Sequence, residues 1–285
     1  MKVFLSYKKS RFELYSNSTN IRVREYALNS EDTPYLKEAH ELLKRDLESI
    51  VNTLKTEGIK YDMVYRSLQP DLSPYKVAIC AGGDGTTINL AMYTKKTPVL
   101  GVKAGISQGV LCVATPKTLR YYLKNLDDVE KVPKSVINRL NISFNGIVLP
   151  EQIVTEAMFR GVDTDDFKNK LTHDGRKRDI RTGYELIVSS GAGTTGAWYN
   201  YGGPVMPYDS KKIFYHIAGN IKTRDEYIST NNLKIISKLR EAKLYINGSY
   251  KDYDVTLLDE FSIFLGTPFT LVGDLNKQRE LKGFI

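Results

Sequence analysis

The sequence predicts an α/β domain followed by a mostly β domain, and three observations carry that expectation. The first 130 residues or so alternate short apolar runs with longer helical patterns, as parallel strands covered by helices do. From about Val132 the texture changes to short strand-like runs separated by turn signals. Between them lies a polar stretch, Asp127-Asp128-Val129-Glu130-Lys131, that ends in Pro133.

Val3-Phe4-Leu5 reads as the first strand. Thr33 is placed as an N-cap with Pro34 at the first helical position, and Leu36, Leu43 and Ile50, with Leu47 and Leu54, recur at seven-residue intervals up to Gly58. That is one long amphipathic helix. Lys76 to Cys80 reads as a buried strand, Thr87 to Tyr93 as a helix and Pro98 to Val102 as a strand. A further helix is expected to run to about Leu126, with Thr115 as its cap and Pro116 as its first residue. In the second half Leu140, Ile142 and Phe144 alternate ahead of Asn145-Gly146, a strong two-residue hairpin turn, and Ile147 to Leu149 returns. Strand-like runs follow at 153–159, 184–189, 212–217, 243–246 (with a second turn at Asn247-Gly248), 253–257, 261–265 and 269–272. An antiparallel β-sandwich is the expected outcome.

Composition bounds the functions available. At 285 residues, 41% hydrophobic and 26% charged, the chain is long enough for about two domains and needs no disulfide or metal to fold. Its two cysteines, Cys80 and Cys112, sit in apolar runs and read as buried reduced thiols. The N-terminus becomes charged too soon for a signal peptide, and no run approaches the length of a membrane span, so a cytoplasmic protein is expected. The formal charge of +8 calls for an anionic partner. The basic residues are scattered, so small polyanionic molecules fit as well as nucleic acid on charge alone, and the lack of interleaved aromatics ranks a nucleic-acid role last. His40, His173 and His216 are isolated from one another, so no metal site is expected. Asp163-Thr164-Asp165-Asp166 reads as a solvated turn and Arg176-Lys177-Arg178 as a hairpin tip.

Two glycine-rich elements carry chemistry. The apolar run ending at Ala81 passes straight into Gly82-Gly83-Asp84-Gly85-Thr86-Thr87 and then into a helical pattern. Glycines let the backbone turn sharply and approach a ligand, and N–H groups at a helix start suit phosphate. Asp84 is out of place in a simple phosphate cradle. It suits proton abstraction from an attacking hydroxyl or a hand in holding Mg²⁺ at a transferring phosphate; alternatively it is one more turn and cap residue. The second element, Ser189-Ser190-Gly191-Ala192-Gly193-Thr194-Thr195-Gly196-Ala197-Trp198, leads to Tyr201-Gly202-Gly203-Pro204. It offers close backbone approach and hydroxyls, as a binding surface or simply as a surface loop.

The ordered pair of elements resembles the NAD kinase family, within the wider group of Gly-Gly-Asp-Gly kinases, and looks most like its divergent mitochondrial-type branch. The resemblance implies a Rossmann-like, phosphofructokinase-like α/β domain over 1–130, a β-sandwich domain over 131–273, and a tail, 274–285, returning to the first. It implies that Asp84 is the catalytic base for the adenosine 2′-hydroxyl. Gly82, Gly83, Gly85 and Thr86 would bind ATP phosphates, and Thr155, Glu156, Gly193, Thr194, Thr195, Gly196 and Asn200 would bind NAD, with Mg²⁺ or another divalent cation accompanying ATP. A homodimer or homotetramer is implied too. Three positions depart from the family pattern: Thr155 where asparagine precedes the glutamate, Gly183-Tyr184-Glu185 where many members have Gly-Asp-Gly, and Lys103 in place of asparagine. They leave room for another hydroxyl acceptor (lipid, sugar or nucleoside), or for a non-catalytic nucleotide-binding protein.

Overall fold

The computed structural model describes residues 1–66, 70–107, 109–162, 167–219, 226–248 and 250–285. The acidic run at 163–166 lies outside them. The chain divides into two compact units, one of residues 1–90, 94–135 and 270–278, the other of 91–93, 136–269 and 279–285.

The first unit is built on β1 (Lys2–Tyr7), α1 (Arg11–Ser16), α2 (Ile21–Asn29), α3 (Thr33–Thr56), β2 (Lys60–Tyr65), β3 (Val77–Gly82), α4 (Asp84–Ala91), β4 (Val99–Lys103) and α5 (Leu119–Lys124). Its sheet also takes β5 (Lys134–Ile137) and, from far along the chain, a strand at Phe269–Val272. The order is β2-β1-β3-β4, then Phe269–Val272, then β5, and β1, β2, β3 and β4 run parallel. β3 is buried along its whole length, as a strand covered on both faces must be. The seven-residue stripe of α3 does what the spacing predicts: Leu43, Ile50 and Leu54 pack with Val3, Leu5, Val77 and Ile79. Burying one such side chain stabilises by about 1.5–3 kcal/mol.

Several boundaries differ from the sequence reading. Asp32, not Thr33, occupies the N-cap of α3, because Pro34 fits either of the first helical positions. Helix α4 begins at Asp84, so the carboxylate belongs to the helix and not to the turn before it. Helix α5 is capped at Thr118, while Thr115 and Thr118 exchange hydrogen bonds in a turn ahead of it. The strand at Phe269–Val272 was expected to close the β-rich half, and instead pairs in parallel with β4. The return to the first unit therefore begins at Thr270, and residues 279–285 group with the second. A four-residue apolar run gives no sign of which sheet it joins.

The second unit holds β6 (Leu140–Phe144), β7 (Ile147–Val148), β8 (Glu156–Gly161), β9 (Asn169–His173), β10 (Arg176–Ile180), β11 (Glu185–Ser189), α6 (Ala197–Asn200), β12 (Ile213–Ala218), β13 (Ile228–Thr230), β14 (Asn232–Ser237), β15 (Glu241–Ile246), β16 (Lys251–Thr256) and β17 (Glu260–Leu265). The Phe269–Val272 strand is β18, and α7 (Leu275–Leu281) follows. Two antiparallel six-stranded sheets, β10-β9-β14-β17-β6-β7 and β13-β12-β11-β8-β15-β16, enclose one core of Ile142, Phe159, Leu171, Leu186, Tyr215, Ile235, Leu244 and Phe261. This is the expected sandwich. Both Asn-Gly turns have positive φ at each residue (48° and 82°; 54° and 73°), the geometry for which asparagine and glycine are suited. The tip of the β9–β10 hairpin is Asp174-Gly175, and Arg176 to Arg178 lie in β10 itself, where Arg178 pairs with Glu226 at 2.7 Å.

Candidate functional site

In the first unit, β3 delivers Gly82 and Gly83 to the carboxyl edge of the parallel sheet. Both sit where a Cβ would be crowded. A Cβ on Gly82 would stand 2.6 Å from the Thr86 hydroxyl and 3.2 Å from the Lys8 side chain, and one on Gly83 would collide with the Ser107 hydroxyl. The Asp84 carboxylate turns toward the loop after β4: Oδ2 accepts from Val110 N–H at 2.7 Å and Oδ1 from Leu111 N–H at 2.8 Å. Gly109 leaves the space it occupies, since a Cβ there would overlap the carboxylate. These two bonds fix the orientation of the carboxylate. Thr87 Oγ1 lies 3.7 Å from Cys112 Sγ, whereas the buried Thr86 Oγ1 has no hydrogen-bond partner. An unsatisfied buried hydroxyl is costly, and a phosphate oxygen would satisfy it.

Cys80 and Cys112 are free and buried. Burial, with the Asp84 charge second, pushes the Cys112 thiol up to about 12, and burial raises Cys80 as well. Neither is a nucleophile at neutral pH.

In the second unit, Thr155 and Glu156 open β8, and their surroundings depend on a residue the sequence reading took only for a turn. Asn247 Oδ1 accepts from Val154 N–H at 2.8 Å and Thr155 N–H at 3.0 Å, while its amide donates to Gln152 O at 2.9 Å. Glu156 is buried, which raises its pKa, with the Thr155 hydrogen bond acting the other way. Its carboxyl lies on the side of exposed Gly196, where a Cβ would stand 3.6 Å from Oε2.

The glycine-rich segment after β11 is packed, not a loose surface loop. A Cβ on Gly193 would strike the Thr155 carbonyl, and one on Gly191 the Pro207 carbonyl. The buried Thr194 hydroxyl donates to Gly191 O at 2.8 Å and accepts from Met206 N–H at 3.0 Å. Ser190 donates to Val154 O at 2.6 Å. The guanidinium of Arg279, 1% exposed, donates to Met206 O at 2.6 Å and Gly191 O at 2.8 Å, and its own burial lowers its pKa. Trp198 is core, its indole N–H donating to Pro204 O at 3.0 Å, whereas Tyr199 and Asn200 are exposed. Thr195 is half-buried. At the departure from the family pattern, burial raises the pKa of Glu185 and Arg160 opposes the rise, while Tyr201 donates to its carboxylate.

Lys8, Asn247 and Arg279 are the residues that sequence reasoning missed. Lys8 follows the first parallel strand directly, and ligands of such sheets bind at strand carboxyl ends, so that signal was present. Asn247 was hidden behind its turn dipeptide, and Arg279 sits 88 positions from the carbonyl it holds.

The chain is similar to known proteins over most of its length. It is 23% identical over 272 residues to a probable NADH kinase of Oryza sativa, covering 84% of this chain and 83% of that protein. It is 29% identical over 216 residues to an NAD kinase of Clostridium botulinum, covering 72% and 74%. Its relatives by sequence are thus NAD and NADH kinases. No protein-family model matches it. Among solved structures, an Archaeoglobus fulgidus NAD kinase in complex with ATP superposes with a TM-score of 0.68 at 17% identity, covering 99% of this chain and 98% of that one. Yeast NADH kinase complexed with NADH gives 0.70 at 14% identity, covering 99% and 87%. The two-domain architecture of the NAD kinase fold therefore holds across the chain.

Proposed function

We propose that this protein is an ATP-dependent NAD kinase, transferring the γ-phosphate of ATP to the 2′-hydroxyl of the adenosine ribose of NAD to give NADP. The observation that carries it is Asp84, oriented by the Val110 and Leu111 amides at the start of α4 beside a glycine turn with an unsatisfied threonine hydroxyl. In this reading Gly82, Gly83, Gly85 and Thr86 receive donor phosphates. Asp84 takes the proton of the 2′-hydroxyl as its oxygen bonds to the γ-phosphorus and the bond to the β-phosphate oxygen breaks, releasing ADP. The protein supplies mainly position and charge, which is what phosphoryl transfer requires.

Thr155, Glu156, Gly193, Thr194, Thr195, Gly196 and Asn200 form the proposed dinucleotide surface. Glu156, Gly196, Thr195 and Asn200 contact the ligand in this reading, while Gly193 and Thr194 shape the backbone behind them. A divalent cation belongs to the reading as well. Asp84, the carboxylate beside the glycine turn, would help to hold it. Bound there, it would neutralise charge on the phosphate oxygens.

A homodimer or homotetramer and a cytoplasmic setting complete the proposal; the two buried free cysteines suit a reducing compartment. Among the described residues no helix is long and apolar enough to cross a membrane. The test is incubation of the pure chain with ATP, Mg²⁺ and either NAD or NADH. Phosphorylated dinucleotide is expected from at least one acceptor, and none above an Asp84→Asn control would remove the reading.

A further inference from the structure

Arg139 lies between β5 and β6 and is fully buried, yet no carboxylate answers it among the described residues. Its guanidinium is spent on neutral oxygens instead. Nε donates to Thr267 O at 2.8 Å, Nη1 to Ala91 O at 2.5 Å, and Nη2 to Thr267 Oγ1 at 3.1 Å and Pro268 O at 3.4 Å, with the Phe269 ring 5.6 Å away. Burial lowers its pKa to about 10, which leaves it charged at neutral pH. An apolar side chain of similar volume would pack there without the cost of burying a charge. What the planar fork alone can do is hold several carbonyls at once in fixed directions.

One of those carbonyls ends α4. The last carbonyls of a helix have no partner inside it, and here Leu90 O accepts from Thr94 N–H at 3.2 Å, Ala91 O from Arg139, and Met92 O from Gln152 N–H at 3.4 Å. Tyr93, the next residue, donates to the buried Glu151 at 3.4 Å. A cation at this end also complements the helix dipole. Ala91 to Tyr93, Arg139, Glu151, Gln152 and Thr267 all belong to the second unit, whereas Asp84 to Leu90 belong to the first.

The other end of the same helix is Asp84, roughly 10 Å from Ala91 at the usual helical rise. Leu90 and Ala91 are buried, but no α4 side chain belongs to the first unit's apolar core, so that core does not set the rotation of the helix or its position along its axis. Those two freedoms decide where the Asp84 carboxylate stands. The Val110 and Leu111 amides restrain them at one end and the Arg139 fork at the other. We propose that Arg139 is a positioning residue for phosphoryl transfer: by fixing the carbonyl end of α4 it holds Asp84 within reach of the attacking hydroxyl. The link to Asp84 rests on the kinase reading; the anchoring of α4 does not.

The experiment compares the full chain with Arg139→Lys and Arg139→Met, each alone and combined with Asp84→Asn, by steady-state kinetics and by amide hydrogen exchange. Lysine keeps a charged donor for Ala91 O without the fork, so the outcome does not depend on the methionine variant folding. The expected loss of kcat is about tenfold for Arg139→Lys and about 10²-fold for Arg139→Met, as small misplacements of a reacting group cost, with KM for ATP and for the dinucleotide within about twofold of the parent. In the Asp84→Asn background Arg139→Lys should cost less than about twofold, because the group it positions is already gone. A loss of kcat equal in both backgrounds, or a raised KM with kcat unchanged, overturns the proposal, since either is what a merely structural arginine gives. Exchange supplies a readout that needs no turnover. The amides from Ile88 to Ala91 should exchange at least about tenfold faster in Arg139→Lys than in the parent while those of α3 keep the parent's rates. Equal rates in α4, or a rise shared by α3, overturn the anchoring. A parent that phosphorylates neither NAD nor NADH sinks the kinase reading alone, and exchange then decides the anchoring of α4 on its own.

Discussion

The turn at 82–87 and the segment at 189–204 draw on the same residue types and use them in opposite ways. Around Gly193 every hydroxyl and carbonyl described above is answered from within the protein: Thr194 by Gly191 and Met206, Ser190 by Val154, and the Gly191 and Met206 carbonyls by Arg279. Around Gly83 the inventory is left open, with Thr86 Oγ1 unpartnered and Lys8 crowded by other cations. Glycine serves close packing of backbone on backbone in the one and of backbone on the Thr86, Lys8 and Ser107 side chains in the other. A glycine-rich string in a sequence therefore does not by itself say which; the partners of its hydroxyls do.

The largest break in this comparison is expected from Asp84→Asn. Asparagine retains one oxygen for a loop amide but cannot take a proton, so NADP formation should fall by about 10²–10⁴-fold, the range for loss of a general base. ATP binding should change little. A kcat within tenfold of the parent would remove Asp84 from proton transfer.

Arg279→Met tests the opposite region. It takes the charged donor from the Met206 and Gly191 carbonyls, leaving Gly191 O only the Thr194 hydroxyl, and removes a buried charge; the first effect is expected to dominate, at about 1–3 kcal/mol in urea unfolding. No loss of stability would mean that the segment is held by glycine packing alone.

How far the sequence disclosed these two regions follows from the range over which their interactions act. The strand, turn and helix at 77–91 are consecutive, so apolar burial, glycine and helical pattern announce them together. The stripe of α3 and both Asn-Gly turns were legible for the same local reason. What could not be read was everything joined at a distance: Asn247 under Val154 and Thr155, the Val110 and Leu111 amides on Asp84, and the parallel pairing of β18. Short helices α1 and α2 were also missed; α1 buries no residue and α2 only Ala27, so the period-3.6 signal has little apolar contrast to act on.

A matched pair of near-isosteric changes sharpens the contrast further. Thr194→Val deprives Met206 N–H of its acceptor and should cost about 1–2 kcal/mol. Thr86→Val removes a buried hydroxyl with no partner and should leave stability unchanged or slightly raised. On the proposed reading, in which that hydroxyl meets a donor phosphate, it should nonetheless weaken ATP binding. Equal destabilisation by both would erase the distinction between a stapled segment and an open one.

The smallest effect concerns Glu156, buried beside the stapled segment with a pKa raised above the ordinary 4.5. Below that ordinary value both the folded and the unfolded chain hold the proton, and burial carries no charge penalty. Between it and the raised native value the folded state keeps a proton that the unfolded chain has released, so stability falls as pH rises. Above the native value both states are ionised and the loss is complete. Glu156→Gln is neutral throughout and removes this decline. The stability difference between parent and variant should therefore grow with pH across the window, by no more than about 1.4 kcal/mol per pH unit, the ceiling for one proton. Urea unfolding of the two proteins at a series of pH values measures it. A difference that stays flat with pH would show that Glu156 reaches solvent, or a cation, when it ionises.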